Sequence, residues 1–545
     1  MQFPKLSASC QWFWHEHNKT KQLLLMFSSR STEKTINEVS NNRTKQSSDD
    51  NGGYTPKQLT GLILGPLLFV LILLFFHPDD LSPGGRGILA GTIWMAVWWI
   101  TEAIPIPATS LLPIAIFPLV GGLKVETVTA PYGNDTVFLF MGGFMIALAM
   151  QKWYLHKRIA LAIISAIGTS TDRIILGFMV ATGFLSMWIS NTATSMMMMP
   201  IGLAIIYQLS DSLKEQGEDT SQGNFKFGKA LMLGIAYSAS VGGIGTIIGT
   251  PPNAALVGAA ENLYNVEIAF AQWMLFGVPI AVIMIALIWV YLVKFAFHMS
   301  TKEMPGGKRV IHEEQDKLGT IKYEEKIVLT IFALTALAWI ARSLFLDDYI
   351  PNINDATIAM IGAIILFIIP ASSSKGYILD WETAVKLPWG ILLLFGGGFA
   401  IAKGFQSSGL AQWIGEQLTV LNGANLLLVI FVTVLLVIFL TEITSNTATA
   451  NMMFPIMGAL AMALGVHPYA LMIAAAVAAS CAFMLPVATP PNAVVFGSGY
   501  LKIPDMAKAG VVLNIISIVL VTIFIYYLLP TMWGIDLHHI PNKFQ

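Results

Sequence analysis

Three stretches of this chain, Leu59 to Phe76, Trp273 to Val293 and Gly510 to Leu529, contain no charged side chain at all. At about 1.5 Å of helix rise per residue, each reaches, or nearly reaches, across a hydrocarbon core about 30 Å thick. A soluble chain would interrupt such runs with polar faces. Of the 545 residues 55% are hydrophobic and only 12% charged, with a mean hydropathy of +0.67. Soluble domains carry about twice that charged share. The sequence therefore predicts an all-α polytopic membrane protein. A net charge of −1 offers no basic face for nucleic acid. Cys10 and Cys481 lie in a polar tail and an apolar stretch, which indicates neither a disulfide framework nor a thiolate metal site.

Polar segments divide the chain. Residues 1–56 read as a disordered cytoplasmic tail whose one apolar patch, Leu23 to Phe27, is too short for a signal-peptide core. Its Lys and Arg residues, followed by Lys57, place the N-terminus in the cytoplasm by the positive-inside rule. A first half spans 57–298, a basic-leaning cytoplasmic loop 299–325, a second half 326–535, and a short tail 536–545. The loops around Asp79 and Asp80, and around Asp347, Asp348 and Asp355, alternate with these as external loops.

The two halves share phrases. Ser190-Asn191-Thr192-Ala193-Thr194 returns as Ser445-Asn446-Thr447-Ala448-Thr449, each with a proline ten residues after its serine (Pro200, Pro455). Phe140-Met141-Gly142-Gly143-Phe144 returns as Phe395-Gly396-Gly397-Gly398-Phe399 at the same offset of 255. Thr250-Pro251-Pro252-Asn253 returns as Thr489-Pro490-Pro491-Asn492 at an offset of 239, the difference lying in a hydrophilic insert around Ser210 to Lys226. Helix-breaking polar phrases, once per half in apolar surroundings, mark binding sites in repeat-built transporters. The glycine-rich stretches have two readings, close-packed helices or re-entrant hairpins, and their flanks favour hairpins at about 133–152 and 387–405.

Ser-Asn-Thr is costly in lipid unless its polar atoms face a partner. If a helix starts there, its free N–H groups and positive dipole end form an anion site without any basic side chain. Two such starts suit a substrate with two carboxylates. Each Pro-Pro removes two backbone donors and leaves carbonyl oxygens of the kind a small hard cation takes. Two acids lie in apolar runs, Glu102 and Glu442; each either braces a broken helix or binds a cation or proton.

With both pairs of phrases placed, the chain resembles the divalent anion/sodium symporter family, above all bacterial sodium-dependent dicarboxylate symporters, over about residues 57–535. Trp99-Ile100-Thr101-Glu102-Ala103-Ile104-Pro105 and Met484-Leu485-Pro486-Val487-Ala488 ahead of Thr489 carry the likeness with the repeated phrases. The resemblance implies about eleven membrane helices, two re-entrant hairpins, inverted repeats, a scaffold with a moving (elevator) transport domain, and a homodimer in the cell membrane. It implies at least two Na⁺ sites. One uses Ser186, Ser190, Asn191 and the carbonyl of Gly249, the other Thr441, Thr444, Asn446 and the carbonyl of Ala488. The dicarboxylate would lie between Ser190-Asn191-Thr192 and Ser445-Asn446-Thr447, near Thr250, Thr489 and Pro490.

The function so implied is Na⁺-coupled uptake of succinate, fumarate or malate. A Na⁺-independent dicarboxylate exchanger would use the same fold and much the same site. A membrane enzyme is disfavoured, because no phosphate-cradling loop, histidine cluster or nucleophile–base pair stands out.

Overall fold

The computed structural model describes residues 54–544 apart from 169, 215–219, 222–223, 299–306, 351, 373–375 and 422. Residues 1–53 of the N-terminal tail, with Cys10 and the Leu23 to Phe27 patch, lie outside the described residues. Lys57 onward packs as one unit.

In the first half, α1 (Pro56–Phe75) and α2 (Pro83–Thr101) lead through α3 (Leu112–Val120) to α4 (Asp135–Lys152) and α5 (Leu155–Ile167). Then follow α6 (Thr171–Ser186), α7 (Asn191–Lys214), α8 (Lys226–Gly242), α9 (Pro251–Tyr264) and α10 (Phe270–Val290). After α11 (Gly307–Leu318), α12 (Tyr323–Ala341) and α13 (Asp355–Ile368), the second half repeats the order. It runs α14 (Trp389–Ser408), α15 (Leu410–Leu418), α16 (Leu426–Thr441), α17 (Asn446–Ala463), α18 (Pro468–Ala479), α19 (Pro490–Phe496) and α20 (Ile503–Ile523). Among the described residues, eight helices are long and apolar enough to cross a membrane, and three more apolar helices are shorter. Large side chains such as Ile63, Leu74 and Phe75 of α1 are exposed, as a lipid-facing helix requires. That helix is buried only at Gly61 and Gly65, where α2 presses its Thr101, Trp94 and Trp98 against it.

The hairpins lie elsewhere than at 133–152 and 387–405. Both glycine-rich stretches are uninterrupted helices, α4 and α14. Their glycines serve close packing: a Cβ on Gly142 would meet the Ala359 backbone of α13 at 2.7 Å, and one on Gly397 would meet Ser110 O at 2.6 Å. The chain reverses instead at Ser-Asn-Thr. Along α8, Gly234 faces Ile175 and Met179 of α6 and Ser238 and Gly242 face Gly183, so α6 runs parallel to α8. Gly202 of α7 faces Leu231, Met232 and Ile235, whereas Gly243, just past α8, faces Asn191; α7 therefore runs back the other way. In the second half, Thr433 of α16 lies 3.7 Å from the Met457 sulfur of α17, while Thr441 meets Asn446 at the tip. The result is a pair of helical hairpins, α6–α7 and α16–α17.

Each hairpin packs on a helix that stops short. Helix α8 ends at Gly242 and α9 resumes at Pro251; α18 ends at Ala479 and α19 resumes at Pro490. The Pro-Pro pairs stand in the first turn of α9 and α19, where the missing N–H groups have no intrahelical acceptor to lose. The halves then interlock reciprocally. Helix α9 packs on α17 of the other half's hairpin, and α19 packs on α7. Phe140 and Phe395 occupy equivalent positions, and their rings meet at 4.9 Å, as residues beside a pseudo-two-fold axis do. At one edge, Arg158 of α5 pairs with Glu325 of α12 at 2.5 Å and Lys157 with Glu314 of α11 at 2.8 Å.

The contact of α4 with α13 is tight enough to be tested by one methyl-bearing side chain. Gly142→Val should destabilise by about 1–3 kcal/mol, because backbone faces backbone there and neither can yield. Gly133→Ala, where a Cβ meets nothing within 4 Å, should stay within about 0.5 kcal/mol of the parent. Thermal melts of the detergent-purified chain compare the two.

Candidate functional site

At the first hairpin tip, α6 ends at Ser186 and α7 starts at Asn191. Ser190 caps that start, its Oγ accepting Ala193 N at 3.3 Å. Ser190, Asn191 and Thr192 are half-buried, so their polar atoms remain reachable. Trp188 wedges the tip in place, its ring 4.9 Å from Phe332 and 6.2 Å from Phe270. Ser186 is fully buried and donates to Ala239 O at 2.7 Å.

One atom of the Asn191 carboxamide lies 2.5 Å from Ser186 Oγ and 3.1 Å from the carbonyl oxygens of both Ala239 and Gly249. As NH₂ it donates to these oxygens; as oxygen it becomes the fourth member of an all-oxygen cluster. Ligands held at about 2.3–2.6 Å by a hard cation stand about 3.2–3.7 Å apart in an octahedral shell. The two separations of 3.1 Å come close to that, whereas those at Ser186 Oγ, 2.5 and 2.7 Å, are hydrogen-bond distances that would have to widen around an ion. Its donor set, one amide, one hydroxyl and two carbonyls, suits a small monovalent cation and offers nothing to a soft metal. Gly243 makes room for the cluster, because a Cβ there would stand 2.8 Å from Asn191 Oδ1 and 2.9 Å from Gly249 O.

The second tip repeats the arrangement. Thr441 Oγ1 lies 2.7 Å from Asn446 Oδ1 and 3.2 Å from Ala479 O, standing where Ser186 stands in the first half. Ser445 caps α17, accepting Ala448 N at 3.5 Å. Thr444 is turned to its own helix and to Thr449, with contacts of 2.7 Å to Leu440 O and 2.6 Å to Thr449 Oγ1. Its side chain is thus occupied, as a residue offering only its carbonyl allows. Thr447 is buried, whereas Ser445 and Asn446 are half-buried.

The chain breaks after α8 and α18 form the facing loops. Thr250 and Thr489 are buried at the starts of α9 and α19, and Thr489 Oγ1 accepts Asn492 N at 3.3 Å. Pro490 is exposed, and so is Val487 at 81%, whereas residues 241–250 of the first loop are all buried. The first loop is sealed and the second is open on one side. Asn253 and Asn492 tie loop carbonyls from within, and Trp273 Nε1 adds a bond of 2.9 Å to Ile244 O. Segments 186–194, 239–253, 441–451 and 479–493 contain no Lys or Arg. An anion there would meet helix starts and no basic side chain from these segments.

The two intramembrane acids part company. Glu442, 3% exposed, accepts Phe483 N at 2.8 Å, Met484 N at 2.9 Å, Leu485 N at 3.2 Å and Asn514 Nδ2 at 2.8 Å. It is the brace between the second tip and the second loop, fully engaged by donors. Glu102 is exposed and ends α2 in a left-handed turn with φ 51°. Sequence reasoning did not single out Asn514 or Thr246, whose hydroxyl donates to Met187 O and binds the first loop to the first tip. No periodicity or motif flags either one; only the fold brings Asn514 within reach of position 442.

Residues 57–535 match the family described as the sodium:sulfate symporter transmembrane region. The chain belongs to this family. It is 51% identical over 491 residues to the sodium-dependent dicarboxylate transporter SdcS of Staphylococcus saprophyticus, covering 89% of this chain and 94% of that protein. It is 52% identical over 489 residues to SdcS of Staphylococcus aureus strain USA300, with the same coverage. Among solved structures, MtrF of Neisseria gonorrhoeae aligns with a TM-score of 0.56 at 14% identity, covering 87% of this chain and 96% of that one. The YdaH transporter of Alcanivorax borkumensis aligns with 0.54 at 16% identity, covering 86% and 98%. These two likenesses speak for the helical membrane fold alone. The chain is a multi-pass membrane transporter rather than an enzyme.

Glu442 provides the test of the site's framework. Glu442→Ala strands one buried and two half-buried backbone N–H groups, and at about 1–3 kcal/mol for a buried unmet donor the loss should be about 2 kcal/mol or more. Glu442→Gln, which keeps an acceptor oxygen, should lose less. The melting temperature of each purified variant measures the order.

Proposed function

We propose that this symporter-family chain couples inward movement of Na⁺ to uptake of C4-dicarboxylates such as succinate, fumarate or malate across the cell membrane, with its N-terminus in the cytoplasm. The observation that carries the reading is the shared asparagine. Asn191 lies against Ser186, Ala239 and Gly249 on one side and opens helix α7 on the other. Asn446 repeats this beside Thr441 at the start of α17. One carboxamide has an oxygen for a cation and an NH₂ for a carboxylate. The names of the relatives at 51–52% identity support both the ion and the substrate class.

In this reading Na⁺ joins Ser186, Ser190, Asn191 and the Gly249 carbonyl at one site, and Thr441, Asn446 and the carbonyls of Thr444 and Ala488 at the other. The ions fix the asparagine oxygens and turn the amide hydrogens to the substrate. One carboxylate then takes the helix start at Ser190-Asn191-Thr192 and the other that at Ser445-Asn446-Thr447, with Thr250, Thr489 and Pro490 closing the sides. Because ions and substrate favour the same arrangement, each raises the affinity for the other by the same factor. The domain division follows: inverted repeats carry hairpins and broken helices as one moving body, which slides in elevator fashion against a scaffold that also forms a homodimer.

Radiolabelled succinate uptake into proteoliposomes tests the function. Uptake should require an inward Na⁺ gradient and be competed by unlabelled dicarboxylates more strongly than by sulfate or citrate. Full counterflow in Na⁺-free, succinate-loaded vesicles would replace symport by exchange. Asn191→Ala and Asn446→Ala each remove a hydrogen bond to a charged group, so each should raise half-saturation for both Na⁺ and succinate by about tenfold or more. Well-folded variants transporting at the parent rate would remove these residues from the site.

A further inference from the structure

A carbonyl oxygen serves a cation only if its peptide is aimed at the ion, and loops of glycine and alanine hold no aim of their own. Two side chains outside the ligand set provide it. Asn253, fully buried, donates from Nδ2 to Gly243 O at 3.2 Å, Ile244 O at 3.1 Å and Thr246 O at 2.8 Å. Asn492, equally buried, donates to Ala482 O at 3.3 Å and Leu485 O at 3.0 Å. The reach is ten and seven residues back in both halves.

The carbonyl seven residues back has a second task. Thr246 O also accepts Gly249 N at 3.3 Å, and Leu485 O also accepts Ala488 N at 3.2 Å. Gly249 and Ala488 are the residues whose carbonyls would face the cation in the proposed sites. Each asparagine is therefore joined, through one shared oxygen, to the N–H of the residue whose own carbonyl would ligate the ion, one Cα away from that carbonyl's peptide, and the join is the same in both repeats. Carbonyl acceptors fix the amide orientation, since only the NH₂ end can meet them. The Oδ1 atoms of both residues are left buried without a hydrogen-bond partner. A core selected for stability alone avoids that arrangement, because an unmet buried acceptor is costly. Here it stands twice at equivalent places.

The geometry points to Asn253 and Asn492 as positioning residues that set the radius of the two cation sites, and with it the discrimination of Na⁺ from Li⁺. The inference rests on the sodium-coupled reading above. Loss of either amide frees the loop carbonyls to turn, so the cage loses its size before it loses its ligands. A cage of undefined radius distinguishes small cations poorly, since selection among hard ions depends on cavity size and ligand rigidity.

The test uses the full chain with Asn253→Ala, Asn492→Ala, and Asn→Asp at each position, the last keeping volume and oxygen but losing both donors. Asn262→Ala is the control, because its amide bonds Gly258 O at 2.7 Å within α9 and away from the loop. Two readouts are taken, Na⁺ and Li⁺ dependence of succinate uptake in proteoliposomes, and the thermal stabilisation of purified protein by NaCl over KCl. Each loop variant should raise half-saturating Na⁺ about fivefold and shift the Li⁺-to-Na⁺ ratio about threefold, on the scale of one lost hydrogen bond. Succinate half-saturation at saturating Na⁺ should move much less, and Asn262→Ala should match the parent. Variants that fold but keep the parent's Na⁺ dependence and Li⁺ ratio would overturn the inference, in stabilisation as in uptake. Where alanine prevents folding, Asn→Ser, which keeps one donor, must show the same shift in smaller measure or the inference fails. A parent protein indifferent to Na⁺ would instead sink the sodium-coupled reading itself.

Discussion

Backbone polar groups must be satisfied inside a membrane, and every functional feature here follows from how two interrupted helices meet that demand. Where α8 and α18 stop, their successors start only at Pro251 and Pro490, so a run of peptides in each half lies outside any helix. Side chains absorb several of these groups: Asn253 and Asn492 take carbonyls, Glu442 takes three N–H groups, and Trp273 adds a second donor to Ile244 O. The Gly249 carbonyl is left to the Asn191 carboxamide, 3.1 Å away. In the proposed reading, a break that costs stability in an ordinary helix supplies oxygens to an ion.

The hairpin tips complete the arrangement from the other side. Each begins a helix at an asparagine, and each is capped by the serine before it. The starts face loops without basic residues, which leaves dipole ends and captured cations to balance an anion. Such a site has little affinity for a dianion until cations arrive. In the proposed reading coupling needs no long-range signal, since the ion and the substrate would share one side chain. The sealed first loop and the open second loop, with Val487 81% exposed, would give the two ends of the proposed site unequal access.

Much of this was legible in the residues. Uncharged runs gave the membrane class, and recurrence of Ser-Asn-Thr and Thr-Pro-Pro-Asn at fixed offsets marked the tips and the breaks. The hairpins were misplaced onto the glycine-rich stretches because glycine signals both sharp turns and close helix contact, and sequence does not separate them. Gly142 against Ala359 and Gly397 against Ser110 are contacts between distant segments, invisible to local pattern. The role of Glu442 stayed open for a similar reason. Whether a buried acid braces or binds depends on donors such as Asn514, 72 residues away. Asn253 was visible as part of a motif, but its bond to Thr246 O, and so its link to Gly249, depends on how the loop closes.

Reciprocity of binding is the most direct measurement of the central claim. Succinate titrations of the purified protein at low and saturating Na⁺, and Na⁺ titrations at low and saturating succinate, yield two coupling factors. If Asn191 and Asn446 are shared between ion and anion, both factors are large in the parent, equal to each other, and collapse toward one when either asparagine is replaced by alanine. Succinate binding that is tight without Na⁺, or coupling that survives both replacements, would contradict the account.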